Sequence, residues 1–227
     1  MAESNRPFHV TLAVVFQVRD GRLQVLLWQR AKEPFAGDWS LPGGYLEGGE
    51  TLEDSIRKHL AEKVDVQELS HLEQLEIRSD PDRHPGEWQL ATAYLGVVPL
   101  GVDPELPEDT TWHTVDELPT LAFDHRAITL AGRERLRAKL SYTNIGFALA
   151  PATFTLGELR EIYVAALGHE VSATNLKRVL LRRGALTPTG EHRTPGRAGG
   201  RPAEVFRFHD RRLAVTDPFA ALRPPSP

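Results

Sequence analysis

The residues of this 227-residue chain most able to do chemistry lie between Gly44 and Val66. A glycine- and glutamate-rich stretch, Gly44-Tyr45-Leu46-Glu47-Gly48-Gly49-Glu50, is followed after seven residues by Lys58-His59-Leu60-Ala61-Glu62-Lys63-Val64-Asp65-Val66. Leu52, Ile56, Leu60 and Val64 recur every fourth residue, which predicts a helix with one buried stripe. On that helix His59, Glu62 and Lys63 stand at i, i+3 and i+4 and share a face. Three carboxylates so placed could hold a divalent cation such as Mg²⁺. Here an imidazole, one carboxylate and an ammonium stand there instead. An ammonium about 4 Å from a cation repels each of its unit charges by roughly 4 kcal/mol at an effective dielectric near 20. No metal is therefore expected at these positions.

The elements that must carry this site can be read on either side of it. Val10–Val18 and Leu23–Trp28 are β-branched and apolar runs joined at Arg19-Asp20-Gly21, a strand pair with a tight turn. Residues 32–44 contain Pro34, Gly37, Pro42, Gly43 and Gly44 and are expected to be loop. Strands are expected again at Leu72–Ser79, Trp88–Val98 and around Thr111–His113, and a second helix from about His125 to Leu140. Strands alternating with two helices make an α/β (α+β) layered sandwich.

Beyond Pro151 the texture changes. Thr155 can cap a helix ending at Gly168, and Ser172 a second one running to about Arg183, with Gly184 after it. Residues 187–202 are rich in Gly, Pro and Arg, and Glu204–Phe208 alternates like a strand. Helix, turn, helix and hairpin in that order describe a small winged helix-turn-helix. Spacing at 100° per residue puts Leu176, Val179 and Leu180 on one side of the second helix and Asn175, Arg178 and Arg182 on another. An Asn/Arg face suits base edges in the major groove of double-stranded DNA. Candidate DNA contacts are Thr174, Asn175, Lys177, Arg178, Arg182 and Arg183, joined by Arg193, Arg197 and Arg201 of the glycine-rich loop, where arginines can reach phosphates or a narrow minor groove. The bland alternative is a solvated helix followed by a linker.

Charge divides in the same way. Residues 1–150 carry 15 Lys+Arg against 24 Asp+Glu, a net of −9; residues 151–227 carry 12 against 7, a net of +5. Different partners are implied for the two parts. The chain has no cysteine, which excludes disulfides and thiolate chemistry. With no secretory leader and no apolar run long enough for a membrane span, a soluble cytoplasmic protein is expected. The expected domains are 1–146, 147–209 and a mobile tail at 210–227.

The stretch from Gly44 to Val66 resembles the Nudix box, in which Gly, five residues and Glu precede, after seven residues, Arg-Glu-apolar-any-Glu-Glu-any-Gly-apolar. Lys58 stands for its arginine and Asp65 for its glycine, while His59 and Lys63 replace two of its three helical glutamates. The resemblance implies a Nudix scaffold whose catalytic positions Lys58, His59, Glu62 and Lys63 are degenerate. Leu121-Ala122-Phe123-Asp124-His125 looks like a segment of the ADP-ribose pyrophosphatase branch. Candidate ligand contacts are Arg30 for a phosphate, Trp39 for a base or ribose face, the Gly43 and Gly44 backbone for close approach, and Glu50, Glu62, Asp124 and His125. Each has a structural alternative: Arg30 as a solvated strand end, Trp39 as a core plug, Asp124 and His125 as a helix start.

Taken with Phe154-Thr155-Leu156-Gly157-Glu158-Leu159, Pro188-Thr189-Gly190 and Gly200-Arg201-Pro202-Ala203, the chain closely resembles the NrtR family of Nudix-related transcriptional regulators. That resemblance implies a homodimeric repressor of NAD biosynthesis or salvage genes. It also implies a near-palindromic operator, ADP-ribose or a related NAD metabolite as effector, and no required cofactor. The alternative is a Mg²⁺-dependent hydrolase of ADP-ribose using Glu47, Glu50 and Glu62, with the basic part as accessory.

Overall fold

A computed structural model of the protein describes residues 6–86, 88–194 and 202–217. Its contacts fall into two compact units, one of Met1–Gln17, Leu23–Val98 and Val102–Glu134, the other of Val18–Arg22, Pro99–Gly101 and Arg135–Pro227.

The first unit is built on strands β1 (Phe8–Arg19), β2 (Arg22–Gln29), β3 (Trp39–Ser40), β4 (Gly43–Tyr45), β5 (His71–Arg78), β6 (Gln89–Val97) and β7 (Thr110–Thr114), with helices α1 (Leu52–Val64) and α2 (His125–Tyr142). The sheet runs β3-β2-β1-β6-β5, with β4 added to β1 and β7 to β2. β1 and β6 pair in parallel at its centre, in register from Phe8 with Gln89 to Phe16 with Val97. Both strands are almost wholly buried apolar residues, as a strand covered on two faces must be. Ala13 and Val15 pack with Ile56, Leu60 and Val64 of α1. Val14 and Phe16, pointing the other way, meet Gly132 of α2, where an added Cβ would stand 3.0 Å from Val14 Cγ1. The sheet is thus sandwiched between the two helices.

α1 starts where Thr51 and Asp54 form a reciprocal capping box, and stops at Asp65 in the left-handed region, φ 49°. Residues 32–44, expected to be loop, contain β3 and the start of β4. The reason lies in Gly43: β4 presses so tightly on β1 that a Cβ there would lie 2.0 Å from the Thr11 carbonyl oxygen. Glycine marks a close backbone approach at this point rather than a break.

The second unit carries α3 (Gly146–Leu149), β8 (Phe154–Thr155), α4 (Leu156–Leu167), α5 (Ala173–Arg182), β9 (Leu186–Arg193) and β10 (Ala203–Phe208), with a small sheet ordered β8-β10-β9. Thr155 and Glu158 form a capping box on α4, Gly168 ends it in the left-handed region, and Ser172 Oγ caps α5. Leu186–Arg193 is a strand despite Pro188 and Gly190. As an edge strand, it tolerates a proline opposite Phe206, next to a bulge in β10.

By contact, the last turns of α2 group with the second unit, where Arg137 Nε donates to the Ala166 carbonyl at 3.3 Å. The tail expected to be mobile from 210 is held as far as Asp217. Asn144 Nδ2 donates to the carbonyls of Asp210 (3.2 Å) and Arg212 (2.8 Å), and the Ala214 amide donates to Asn144 Oδ1 at 2.7 Å. Residues 218–227 lie outside the described residues. Among the described residues no helix is long and apolar enough to cross a membrane.

Candidate functional site

The first unit contains a cavity of about 320 Å³ between β1, β4, α1 and the start of α2. Val10, Leu12, Trp28 and Phe123 give it apolar walls, and Arg30, Lys63, Arg83, His59 and His125 give it polar ones.

Among the box residues, Lys58 Nζ lies 2.7 Å from Glu50 and 3.0 Å from Glu47. Its hydrogen bond, helped by the Glu47 amide, holds the Glu50 carboxyl at about 2. His59 is buried under Gly44, whose Cα faces the ring so closely that a Cβ would sit 2.6 Å from Cε1. Its Nε2 is 3.0 Å from the Tyr45 carbonyl and must carry the proton, leaving Nδ1 as a buried lone pair without a protein partner. Lys63 donates to the Gly43 carbonyl at 2.7 Å and lies over the Trp28 ring at 5.5 Å. Burial, and then the charge of Arg30, lower its pKa, while Glu62 raises it.

A divalent cation does not fit this set. A donor N–H and an ammonium occupy two of the three helical positions, Glu62 is exposed, and among the described residues no group of three or more His, Asp or Glu is disposed to hold a metal.

The other expected contacts are divided. Arg30 lines the cavity, its Nε on the Pro34 carbonyl at 2.9 Å and its guanidinium 4.8 Å above Phe123. Gly43 and Gly44 line it too, although their closest approaches are to Thr11 and His59. Trp39 does not line it. Half-buried, its ring packs edge-on against His113 at 4.4 Å. The tryptophan in the wall is Trp28, held by its Nε1 on the Leu41 carbonyl at 3.1 Å. Glu50, Glu62 and Asp124 also lie off the lining, Glu50 on Lys58 and Asp124 on Arg83 in a two-bond clamp of 2.8 and 3.3 Å.

Arg83, His84, Tyr45, Gln89 and Phe123 line the cavity without having been expected to. His84 stacks on Phe123 at 5.2 Å and 18°. Phe123 takes φ 55°, rare for an aromatic residue, which aims its ring at Arg30 and His84. Nothing in a single sequence signals that angle.

His125 is the first residue of α2 and is almost fully buried. The Leu41 amide donates to its Nδ1 at 3.0 Å, so the proton is on Nε2 and Ser40 Oγ, also 3.0 Å from Nδ1, is a second donor. Burial drives its pKa down to about 3, with Arg83 and Arg30 adding to the effect and Asp124 opposing it. Between about pH 6.5 and 3 the unfolded chain takes up a proton that the native ring does not, so stability is full above that window and falls as pH falls through it. The expected loss at pH 5 relative to pH 8 is about 2 kcal/mol from this group. Urea midpoints for wild type and His125→Gln check it: the variant loses this slope, and equal slopes in both would assign the effect elsewhere.

In the second unit, Thr174, Asn175, Arg178 and Arg182 are all exposed along α5, while Leu176 and Leu180 are buried behind them. Arg178 Nη2 donates to Asn175 Oδ1 at 2.7 Å, which organises that face. Three other expected contacts are engaged internally. Lys177 pairs with Glu204 at 2.9 Å over the Phe206 ring, Arg183 turns inward to Asp217 at 2.6 Å, and Arg193 pairs with the capping residue Glu158 and donates to the Thr153 carbonyl. Arg197 and Arg201 lie outside the described residues.

Against this geometry, residues 7–131 match the NUDIX domain family and residues 146–208 the NrtR DNA-binding winged helix domain. A curated relative from Acinetobacter baylyi, the ADPR responsive transcriptional repressor NtrR, is 31% identical over 201 residues, 86% of this chain and 79% of its own. The crystal structure of Shewanella oneidensis NrtR complexed with a 27mer DNA is similar at a TM-score of 0.74 and 32% identity, over 88% of this chain and 92% of that one. The NUDIX domain of the same Shewanella oneidensis protein, complexed with ADP ribose, matches 58% of this chain and 89% of its own at a TM-score of 0.52 and 32% identity. With a Nudix domain, a winged helix of this kind and a two-domain relative aligned along most of its length, the chain belongs to the NrtR family of Nudix-related transcriptional regulators.

Proposed function

We propose that this protein is a cytoplasmic, homodimeric transcriptional repressor of NAD biosynthesis or salvage genes. Its Nudix domain binds ADP-ribose, or a closely related NAD metabolite, without hydrolysing it, and that binding weakens the hold of the winged helix on a near-palindromic operator. One observation carries the reading: the cavity keeps arginine, lysine and aromatic walls suited to a nucleotide diphosphate, while two metal-ligand positions of its helix are a histidine and a lysine bonded to backbone carbonyls. The Acinetobacter and Shewanella relatives support the ligand and the DNA. The exposed Asn/Arg face of α5 supports groove recognition.

The test is a mobility shift at fixed salt on the promoter DNA of candidate NAD genes, repeated with ADP-ribose and with AMP plus ribose 5-phosphate. Release of the DNA by intact ADP-ribose alone, with no AMP formed in the presence of Mg²⁺, is the expected result. AMP production at ordinary enzyme rates overturns the non-catalytic reading, and retention of DNA at saturating ADP-ribose overturns the effector.

A further inference from the structure

We propose that residues 210–217 form a strap that sets the orientation of α5, with Asp217 acting as a positioning residue through Arg183; this rests on the reading of α5 as the helix that recognises DNA. α5 is short and buries only Leu176 and Leu180, a narrow hold for a helix that must present side chains to base edges. At its C-terminal end Arg183 does not point outward. Its side chain is 10% exposed and its Nη2 lies 2.6 Å from Asp217 Oδ2, a carboxylate 34 residues further along the chain. A buried guanidinium needs a counter-charge fixed in place, and Asp217 is itself fixed. Its amide and that of Thr216 donate to the Tyr142 carbonyl at 3.1 and 3.0 Å, Val215 bridges to Thr143, and Asn144 bonds Asp210, Arg212 and Ala214. Arg211 adds a bond to the Phe147 carbonyl at 3.2 Å. The strap thus ties the end of α5 to the turn after α2.

Asp217→Asn separates this role from simple electrostatics because the two predict opposite signs. Removing an acidic charge, and freeing Arg183 to meet phosphate, tightens binding to any DNA by charge alone. Loss of positioning instead lowers affinity for the recognised sequence while leaving non-specific affinity unchanged or higher.

The experiment is fluorescence anisotropy of the full chain at one salt concentration. The two probes are a duplex selected by the wild-type protein from a random-sequence library and a scrambled duplex of equal length. The expected result is a fall of about tenfold in the specific to non-specific ratio for Asp217→Asn, restored by Asp217→Glu. An unchanged ratio, or tighter specific binding, overturns the proposal. If Asp217→Asn melts the winged helix, Arg183→Met combined with Asp217→Leu leaves no unpaired buried charge, and wild-type discrimination by that variant overturns the proposal equally. A wild-type chain that enriches no duplex sinks the DNA-binding reading itself.

Discussion

Lys63→Glu is expected to lower ADP-ribose affinity about a hundredfold in EDTA, whereas the wild type binds equally well in EDTA and in Mg²⁺. A diphosphate in the cavity is expected to meet Lys63 and Arg30, which both line it, and the charge of Arg30 already disfavours that of Lys63. On the proposed reading, Lys63 supplies the positive charge that a magnesium ion supplies in a hydrolase. A unit charge pair about 4 Å apart is worth roughly 4 kcal/mol at an effective dielectric near 20. Lys63 is partly open to solvent, so about 2–3 kcal/mol of that survives, close to two decades of affinity. The introduced carboxylate stands at i+1 from Glu62, so Mg²⁺ is expected to recover part of the loss. Calorimetric titrations with and without Mg²⁺ decide it. Wild-type binding that collapses in EDTA, or a variant indifferent to the substitution, refutes the role given to Lys63.

The second large effect is on DNA. Arg178→Ala with Arg182→Ala is expected to weaken binding to the selected duplex by two to three decades, because each good bidentate arginine to guanine is worth about 1–3 kcal/mol. Non-specific affinity and its salt slope should drop by much less, by about the loss of two phosphate-attracting charges. Arg193→Ala is the informative control. Its guanidinium is engaged with Glu158 at the N-terminus of α4, so its loss should cost stability of the winged helix more than sequence preference. Equal loss of specificity in Arg193→Ala and in the double variant would falsify the assignment of α5 as the reading surface.

Much of this was legible in the chain. The four-residue period of Leu52, Ile56, Leu60 and Val64 pointed to α1, because a helix buried on one side records its exposure in its spacing. Thr155 and Ser172 marked both helix starts of the second unit, since caps are local chemistry. The substitutions at 59 and 63 were visible as residue types. Their consequences were not: that His59 would donate to Tyr45 and Lys63 to Gly43 depends on β4 being drawn against β1.

Partner choice was equally hidden. Lys177, Arg183 and Arg193 are expected as DNA contacts, and the carboxylates that hold them in this structure, Glu204, Asp217 and Glu158, are 27, 34 and 35 residues away. Arg83 and His84 sit in a polar, proline-containing stretch that reads as plain loop, and only the fold brings them beside Asp124 and Phe123. The tail looked unstructured because its composition says nothing of Asn144, about 70 residues earlier, which binds it.

The ring of His125 has one further consequence. A histidine in a ligand pocket ordinarily makes the pocket a pH meter, since its charge changes near neutrality. Here the Leu41 amide and the depth of burial freeze one tautomer, so Nε2–H faces the same chemical choice at any pH a cell tolerates. Acidification therefore erodes the scaffold through the unfolded chain without placing a charge on this ring.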